Sequence, residues 1–376
     1  MSRICYQLNL QATLGGGEIF TRFFTAALSR LGWRSVLLVA RDAKFWPGFM
    51  PEGVELRPVW DPASILAALP KESSLIVTHT ALPEDLAPQI ATMHRLTGLV
   101  HMPLYQREPR GLASYHRLFA VSEHVRASAL AKGLRNVHEE PLYGVADLQP
   151  RSGAAPVRAA SPYEWDERKL RDRVFGWVES HTSAMTRRPL FRRLPGLCLG
   201  IVSRLTPIKQ FTEMFSILAP VLARHADVHL EIFGAGGYAS VRDLRRALAP
   251  LRQQARFWGL QTDVAAVYPQ LDYVLSGLPE KEALGLNIIE SQLSGTPVLA
   301  VRAPPFTETV LDGATGYLFE DPRKDGGQAF AQLLARIRGP GQRPDPRLAT
   351  DHLARFSMEA FSSRVERALA AAVQGV

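Results

Sequence analysis

Tyr273-Val-Leu-Ser276, Glu282-Ala-Leu-Gly-Leu-Asn-Ile-Ile-Glu290 and Leu293-Ser-Gly-Thr-Pro-Val-Leu-Ala300 follow one another in the second half of the chain. The outer two carry apolar runs of strand length, and the middle one reads as a loop that turns into a helix. With residues 285–294 helical, Glu282 lies in the loop before the helix and Glu290 about one and a half turns inside it. A helix N-terminus holds unpaired N–H donors and roughly half a positive charge, which suits a phosphate. An ionised carboxylate only accepts hydrogen bonds, which suits sugar hydroxyls. Two glutamates at this spacing are by themselves ordinary solvated helix residues, so the surrounding segments decide their meaning.

Working outward, the same strand-then-helix rhythm extends in both directions. Leu197–Ser203, His229–Phe233, Ala255–Trp258, Tyr273–Ser276 and Pro297–Val301 read as strands, with helices at 210–224, 239–253, 285–294 and 325–338. Upstream, Val36–Ala40, Ser74–Thr78, Thr97–His101 and Leu118–Ser122 are near-continuous apolar runs, as in parallel strands buried on both faces. Helices fit at Ile19–Leu31 and Glu123–Lys132. Alternation of this kind predicts an α/β chain of two Rossmann-like, doubly wound domains.

The stretch 149–196 breaks the rhythm. It holds a Gly/Pro/Ala/Arg-rich loop, Gln149–Ala160, a charged amphipathic segment from Tyr163 to Trp177, and the basic run Arg187–Arg193. It reads as an elaborated basic connector between a first domain, 1–148, and a second, 197–356. Its Trp165, Val174 and Trp177 are expected to pack on the protein body, with contact to a membrane surface as the alternative. A last helical run, Ser357–Val373, follows the Gly/Pro-rich loop Gly339–Pro346.

The chain of 376 residues is 46% hydrophobic and 21% charged, ordinary for a globular protein with two cores. Cys5 and Cys198 lie in apolar runs without a pairing pattern, which suggests a reducing compartment. No Cys/His spacing supports a zinc site. The start, Met1-Ser-Arg-Ile-Cys-Tyr-Gln-Leu, reads as a strand and not as a signal peptide, and no apolar run reaches about 18 residues. The net charge of +8 is uneven: residues 1–193 hold 25 Lys/Arg against 18 Asp/Glu, a net of +7. That bias suits an anionic surface or phosphorylated substrates. No nucleic-acid signature with interleaved aromatics accompanies it, so nucleic acid is not an expected partner.

Gly200-Ile-Val-Ser-Arg204-Leu-Thr-Pro-Ile-Lys209 delivers two cations from the end of a strand, and Glu308-Thr-Val-Leu-Asp-Gly313-Ala-Thr-Gly316-Tyr-Leu-Phe319 follows the double-glutamate stretch. Together these segments resemble the nucleotide-sugar half of a GT-B glycosyltransferase of the retaining family 4 type, well over residues 197–320 and more loosely elsewhere. The resemblance implies two Rossmann-like domains facing across a cleft. It also implies a C-terminal helix, about 357–376, that crosses back to the first domain near Phe356-Ser-Met-Glu-Ala-Phe361.

The same resemblance implies the site. Arg204 and Lys209 would meet the charge growing on a leaving diphosphate, the task that carries most of such catalysis. Glu290 resembles the glutamate that binds the nucleotide ribose, and Glu282 the one beside the transferred sugar. Gly285, Leu286 and Asn287 would offer backbone donors. Here Glu282-Ala-Leu-Gly285 stands where the family commonly has Glu-Gly-Phe-Gly. Gly16 and Gly17, in Gly15-Gly-Gly-Glu18, match a glycine loop near the diphosphate and acceptor. His101 matches a histidine that contacts the donor sugar. Gly234, in Gly234-Ala-Gly-Gly237, matches a glycine turn near the diphosphate or base. Leu260 belongs to the base-pocket segment Phe257-Trp-Gly-Leu260. No Asp-x-Asp occurs, so no metal or other cofactor is expected.

The implied activity is transfer of a sugar from a nucleotide-diphosphate donor to a glycan or lipid-linked acceptor in cell-surface polysaccharide or lipopolysaccharide synthesis. The expected place is the cytoplasm, at or near the inner face of the membrane. Two other classes stand beside it: a GT-B phosphorylase or epimerase, and a non-catalytic binding or scaffold protein on the same fold.

Overall fold

Arg3–Asn9, Trp33–Ala40, Glu55–Val59, Leu75–Thr78, Arg95–Val100 and Arg117–Ala120 form strands β1 to β6 of one sheet. The computed structural model describes residues 3–105, 108–146, 148, 156–166, 169–185, 188–341 and 343–373. The chain divides into two compact units, Met1–Asp147 with Ala354–Val376, and Leu148–Leu353.

In the first unit the strand order is β3-β2-β1-β4-β5-β6, all parallel. Central strands bury both faces, which is why Leu37, Leu38, Ile76 and Val77 read as unbroken apolar runs. β3 has no such signature. It reads Glu-Leu-Arg-Pro-Val, and only its last residue is buried. As an edge strand it tolerates Pro58 and needs one pairing partner, β2. The helix Met358–Val373 buries Phe361, Val365, Ala368, Leu369 and Ala372, a single apolar stripe. It packs into this unit: Phe361 meets Phe20 edge-on at 5.3 Å, and the Arg95 side chain donates to the Ala372 carbonyl at 2.6 Å.

The second unit holds β7 (Leu197–Val202), β8 (Val228–Phe233), β9 (Ala255–Gly259), β10 (Tyr273–Leu275), β11 (Val298–Val301) and β12 (Gly316–Phe319). Their order is β12-β11-β10-β7-β8-β9, again all parallel. Both units are therefore Rossmann-like. The helix Tyr238–Ala247 is shorter than the expected 239–253, because Pro250 opens a separate 3-10 turn at Ala249–Gln254.

The stretch expected as a connector packs on the second unit. Val157 and Phe191 join its core, and Phe191 meets Trp258 edge-on at 5.1 Å. Ala160 donates to the Trp258 carbonyl at 2.7 Å, and Gly236 to Pro162 at 3.0 Å. The helix of this segment runs Leu170–Met185. Before it, residues 163 and 164 pair with the second unit, Tyr163 bridging to Gly236 and the Glu164 N–H donating to its carbonyl at 2.9 Å. Trp165 stacks on Phe175 and meets Tyr163 at a tilt, as expected of a packing residue. Val174 and Trp177 do the opposite, at 54% and 62% exposed. Arg187 and positions 149–155 lie outside the described residues. No helix among the described residues is long and apolar enough to cross a membrane.

Candidate functional site

The loops that leave β7 and β10 of the second unit bring the candidate acid and base together. After β7 the chain makes a 3-10 turn at Pro207–Lys209, then Gln210 adopts a left-handed backbone with φ 53° before the helix Phe211–Leu222. This reversal fixes the direction in which Lys209 leaves the turn. The Lys209 carbonyl accepts from the Leu278 N–H at 3.2 Å, which clamps the two loops together. The clamp needs Gly277, because a Cβ there would stand 2.0 Å from the Lys209 carbonyl oxygen. The Lys209 ammonium forms an ion pair with the Glu282 carboxylate, and the two side chains are only 20% and 12% exposed. The other Glu282 oxygen accepts from the Ala283 N–H at 3.2 Å.

Three residues on, Gly285 takes φ 84° and caps the helix Leu286–Leu293. A side chain at that φ is strained, so glycine lets the loop enter the helix sharply. The first N–H groups of the helix, at Leu286 and Asn287, face out of its N-terminal end. The Asn287 side chain ties the helix to the sheet by donating to the Val202 carbonyl at the end of β7, 3.2 Å away. On the next turn, Glu290 accepts from the Tyr268 hydroxyl at 3.0 Å. Burial pushes the Glu290 carboxyl above the usual range, against the pull of the Tyr268 hydrogen bond and the Lys209 charge. Lys209, Glu282 and Glu290 thus belong to one electrostatic cluster at the carboxyl ends of adjacent strands, where doubly wound sheets bind ligands.

Arg204 stands apart from that cluster. Half exposed, it lies 3.5 Å from Glu164 of the packed connector and not on Glu282. Such an exposed pair is weak and exchangeable, which leaves the guanidinium free to turn. Gly234 has a packing reason: a Cβ there would stand 1.8 Å from the Ser203 carbonyl oxygen. Leu260 is 53% exposed, and its N–H donates to Ser161 of the connector at 3.3 Å. Tyr268, Gln210, Gly277 and Glu164 were not singled out in the sequence. Only Gly277 had a signal there, a glycine directly after a strand.

The remaining candidates lie in the first unit. Gly15 caps the helix Gly16–Arg30 in an extended conformation. Neither Gly16 nor Gly17 has a positive φ, and a Cβ on either would meet nothing within 4 Å. No packing of the chain demands glycine there. His101 sits against Phe20 at 5.0 Å and stacks on His79 at 6.1 Å. Burial lowers its pKa to about 4, so the ring is neutral at physiological pH, and its Nε2 has no hydrogen-bond partner among the described residues. Around it runs a buried polar network that apolar patterning could not reveal. His79 Nε2 meets Gln7 at 2.9 Å, Gln7 donates to Thr25 at 3.0 Å, and Asn9 donates to Thr21 at 2.9 Å and Glu18 at 3.3 Å.

Residues 197–337 match the family model described as glycosyl transferases group 1. The match covers a little over a third of the chain and lies within the second unit. The D-inositol 3-phosphate glycosyltransferase of Corynebacterium kroppenstedtii is 29% identical over 188 residues, 46% of this chain and 40% of that protein. The chain therefore matches less than half the length of such curated relatives. Solved structures extend the likeness to the whole chain. Anabaena Alr3699/HepE in complex with UDP superposes with a TM-score of 0.69 at 18% identity, covering 98% of this chain and 100% of that one. The apo form of the lipopolysaccharide outer core galactosyltransferase WaaB gives 0.65 at 13% identity, covering 98% and 99%. At these identities the likeness establishes the GT-B fold of two Rossmann-like domains. The matched residues 197–337 include Arg204, Lys209, Gly234, Leu260, Glu282, Gly285, Leu286, Asn287 and Glu290.

Proposed function

We propose that this chain is a retaining, metal-independent glycosyltransferase that moves a sugar from a nucleotide-diphosphate sugar to a glycan or lipid-linked acceptor of the cell surface. The Lys209–Glu282 ion pair, held beside the N-terminus of the Leu286–Leu293 helix, carries the proposal. The HepE neighbour was solved with UDP and with UDP-glucose, and a donor of that class is taken over here as part of the reading.

In this reading the bond from the anomeric carbon to the diphosphate oxygen breaks, and a bond to the acceptor oxygen forms on the same face. The acceptor hydroxyl passes its proton to the departing diphosphate oxygen on that face. Lys209, with Arg204 turned from Glu164, offsets the charge that grows on the diphosphate. The helix N–H groups at Leu286 and Asn287 add fixed dipoles, which need no reorganisation as the reaction proceeds. Glu282 balances Lys209 before the donor arrives and holds sugar hydroxyls afterwards. Glu290, set by Tyr268, receives the ribose diol. Gly16, Gly17 and His101 contact the donor by the same family resemblance, His101 as a neutral hydrogen-bonding ring.

Replacing Lys209 by Ala is expected to lower kcat/KM by about 2–4 kcal/mol of transition-state stabilisation. Release of nucleotide diphosphate measures it, and wild-type turnover in K209A refutes the assignment. Activity should persist in EDTA, and the anomeric configuration of the product, read by NMR coupling constants, should match that of the donor.

A further inference from the structure

The helix Leu170–Met185 is built inside out. Its charged side faces the protein: the Asp172 side chain is 5% exposed, and Glu179 accepts from Trp165 Nε1 at 2.6 Å and from Ser161 at 2.8 Å. Between these acids Gly176 lies against the Trp165 ring, which an added Cβ would meet at 3.2 Å. Its apolar side faces water. Leu170, Val174, Trp177 and Val178 are 75%, 54%, 62% and 43% exposed. Their spacing, i, i+4, i+7 and i+8, makes one continuous stripe. Exposed Lys169, Arg171 and Arg173 flank the stripe, and exposed Arg188 and Arg192 follow the helix. From Lys169 to Arg193 the sequence holds seven Lys/Arg and two Asp/Glu, and both acids are the inward-facing ones.

We propose that this helix docks the protein on an anionic lipid surface, lying flat with its apolar stripe at the acyl boundary. A helix with Leu, Val and Trp on one side and cations beside them has the composition of an interfacial helix. Indole rings settle at the headgroup level. The basic flank matches anionic headgroups, whereas a second copy of this helix would bring like charges together. The proposal rests on the exposed helix and is independent of the sugar-transfer reading.

Flotation of the full chain tests it, with vesicles of phosphatidylcholine and phosphatidylglycerol at about 1:1 against phosphatidylcholine alone, over a salt series. The anionic vesicles should bind it, and added salt should weaken the binding. Neutralising two flanking cations together, K169Q with R173Q, should weaken binding about 30-fold, each cation being worth about a factor of five. V174S with W177S should weaken it about tenfold or more. Vesicles with brominated acyl chains should quench tryptophan fluorescence, and W177L should remove most of that quenching while retaining binding. Because all these side chains are exposed, melting curves of the variants should match wild type. The proposal is overturned by failure of wild type to bind anionic vesicles, or by variants that bind like wild type. Stripe-dependent self-association without vesicle binding overturns it in favour of a second copy.

Discussion

At Gly277 an added Cβ would press on the Lys209 carbonyl, so the smallest substitution separates the two loops that pair Lys209 with Glu282. Gly277→Ala should destabilise the protein by about 1–3 kcal/mol through overpacking and weaken donor binding as well. Chemical denaturation and donor titration measure both, and an unchanged donor affinity would separate the clamp from the site. Glu290 presents the opposite balance. Its folded pKa lies above its unfolded one because burial disfavours the carboxylate. The unfolded chain therefore loses its proton first as pH rises, and the cost to folding is largest at neutral and alkaline pH. Glu290→Gln should raise the melting temperature at pH 7 to 8, with the gain vanishing as pH falls below the ordinary carboxylate range, while nucleotide-sugar affinity drops. At this scale the sequence exposed the identities of Arg204, Lys209, Glu282 and Glu290 but not their partners. The Glu164 contact of Arg204 and the Tyr268 contact of Glu290 bridge 40 and 22 positions, and no periodicity encodes such pairs.

The buried network between β1, β4 and the Gly16–Arg30 helix carries its own pH signature. Burial lowers the pKa of His101 to about 4 and depresses that of His79, which also feels the His101 charge. Below about pH 6.5 the unfolded chain takes up protons that these folded rings refuse, so stability falls as pH drops from about 6.5 to 4. His101 contributes at most about 3 kcal/mol to this loss. The unfolding midpoint in urea should decline through that window, and His101→Gln should flatten the decline. A pH-independent wild-type midpoint there would contradict the burial of the two rings. Elements with strong apolar runs were legible in advance: β4, β7 and β8 stand within a residue of where their side chains put them, and β2 begins three residues earlier. β3 was not, because an edge strand needs no continuous apolar run, and Glu55, Arg57 and Pro58 mask it. The charged amphipathic segment that opens at Tyr163 is helical only from Leu170, and backbone pairing with Gly236 claims Tyr163 and Glu164.

For the molecule as a whole, a ligand that binds only the folded chain stabilises it in proportion to ln(1 + [L]/Kd). A panel of UDP-, GDP- and ADP-sugars should therefore single out the donor by melting temperature, with about 2.7 kcal/mol gained at a hundredfold excess over Kd. A panel without any shift would refute the proposed donor class. The net charge of +7 in residues 1–193, against +8 for the whole chain, includes the basic flank of the exposed Leu170–Met185 helix, so the charge asymmetry has a definite location.

By itself the sequence determined two parallel α/β units and a glycosyltransferase-like second half, because buried strands and helix starts are written in local side-chain order. Only tertiary structure decided that Lys209 pairs with Glu282, that Arg204 turns to Glu164, and that the expected connector lies on the second unit. Only it, too, left Val174 and Trp177 facing water. Those outcomes depend on which distant backbone approaches and which face of a helix is already occupied, and neither is a property of neighbouring residues.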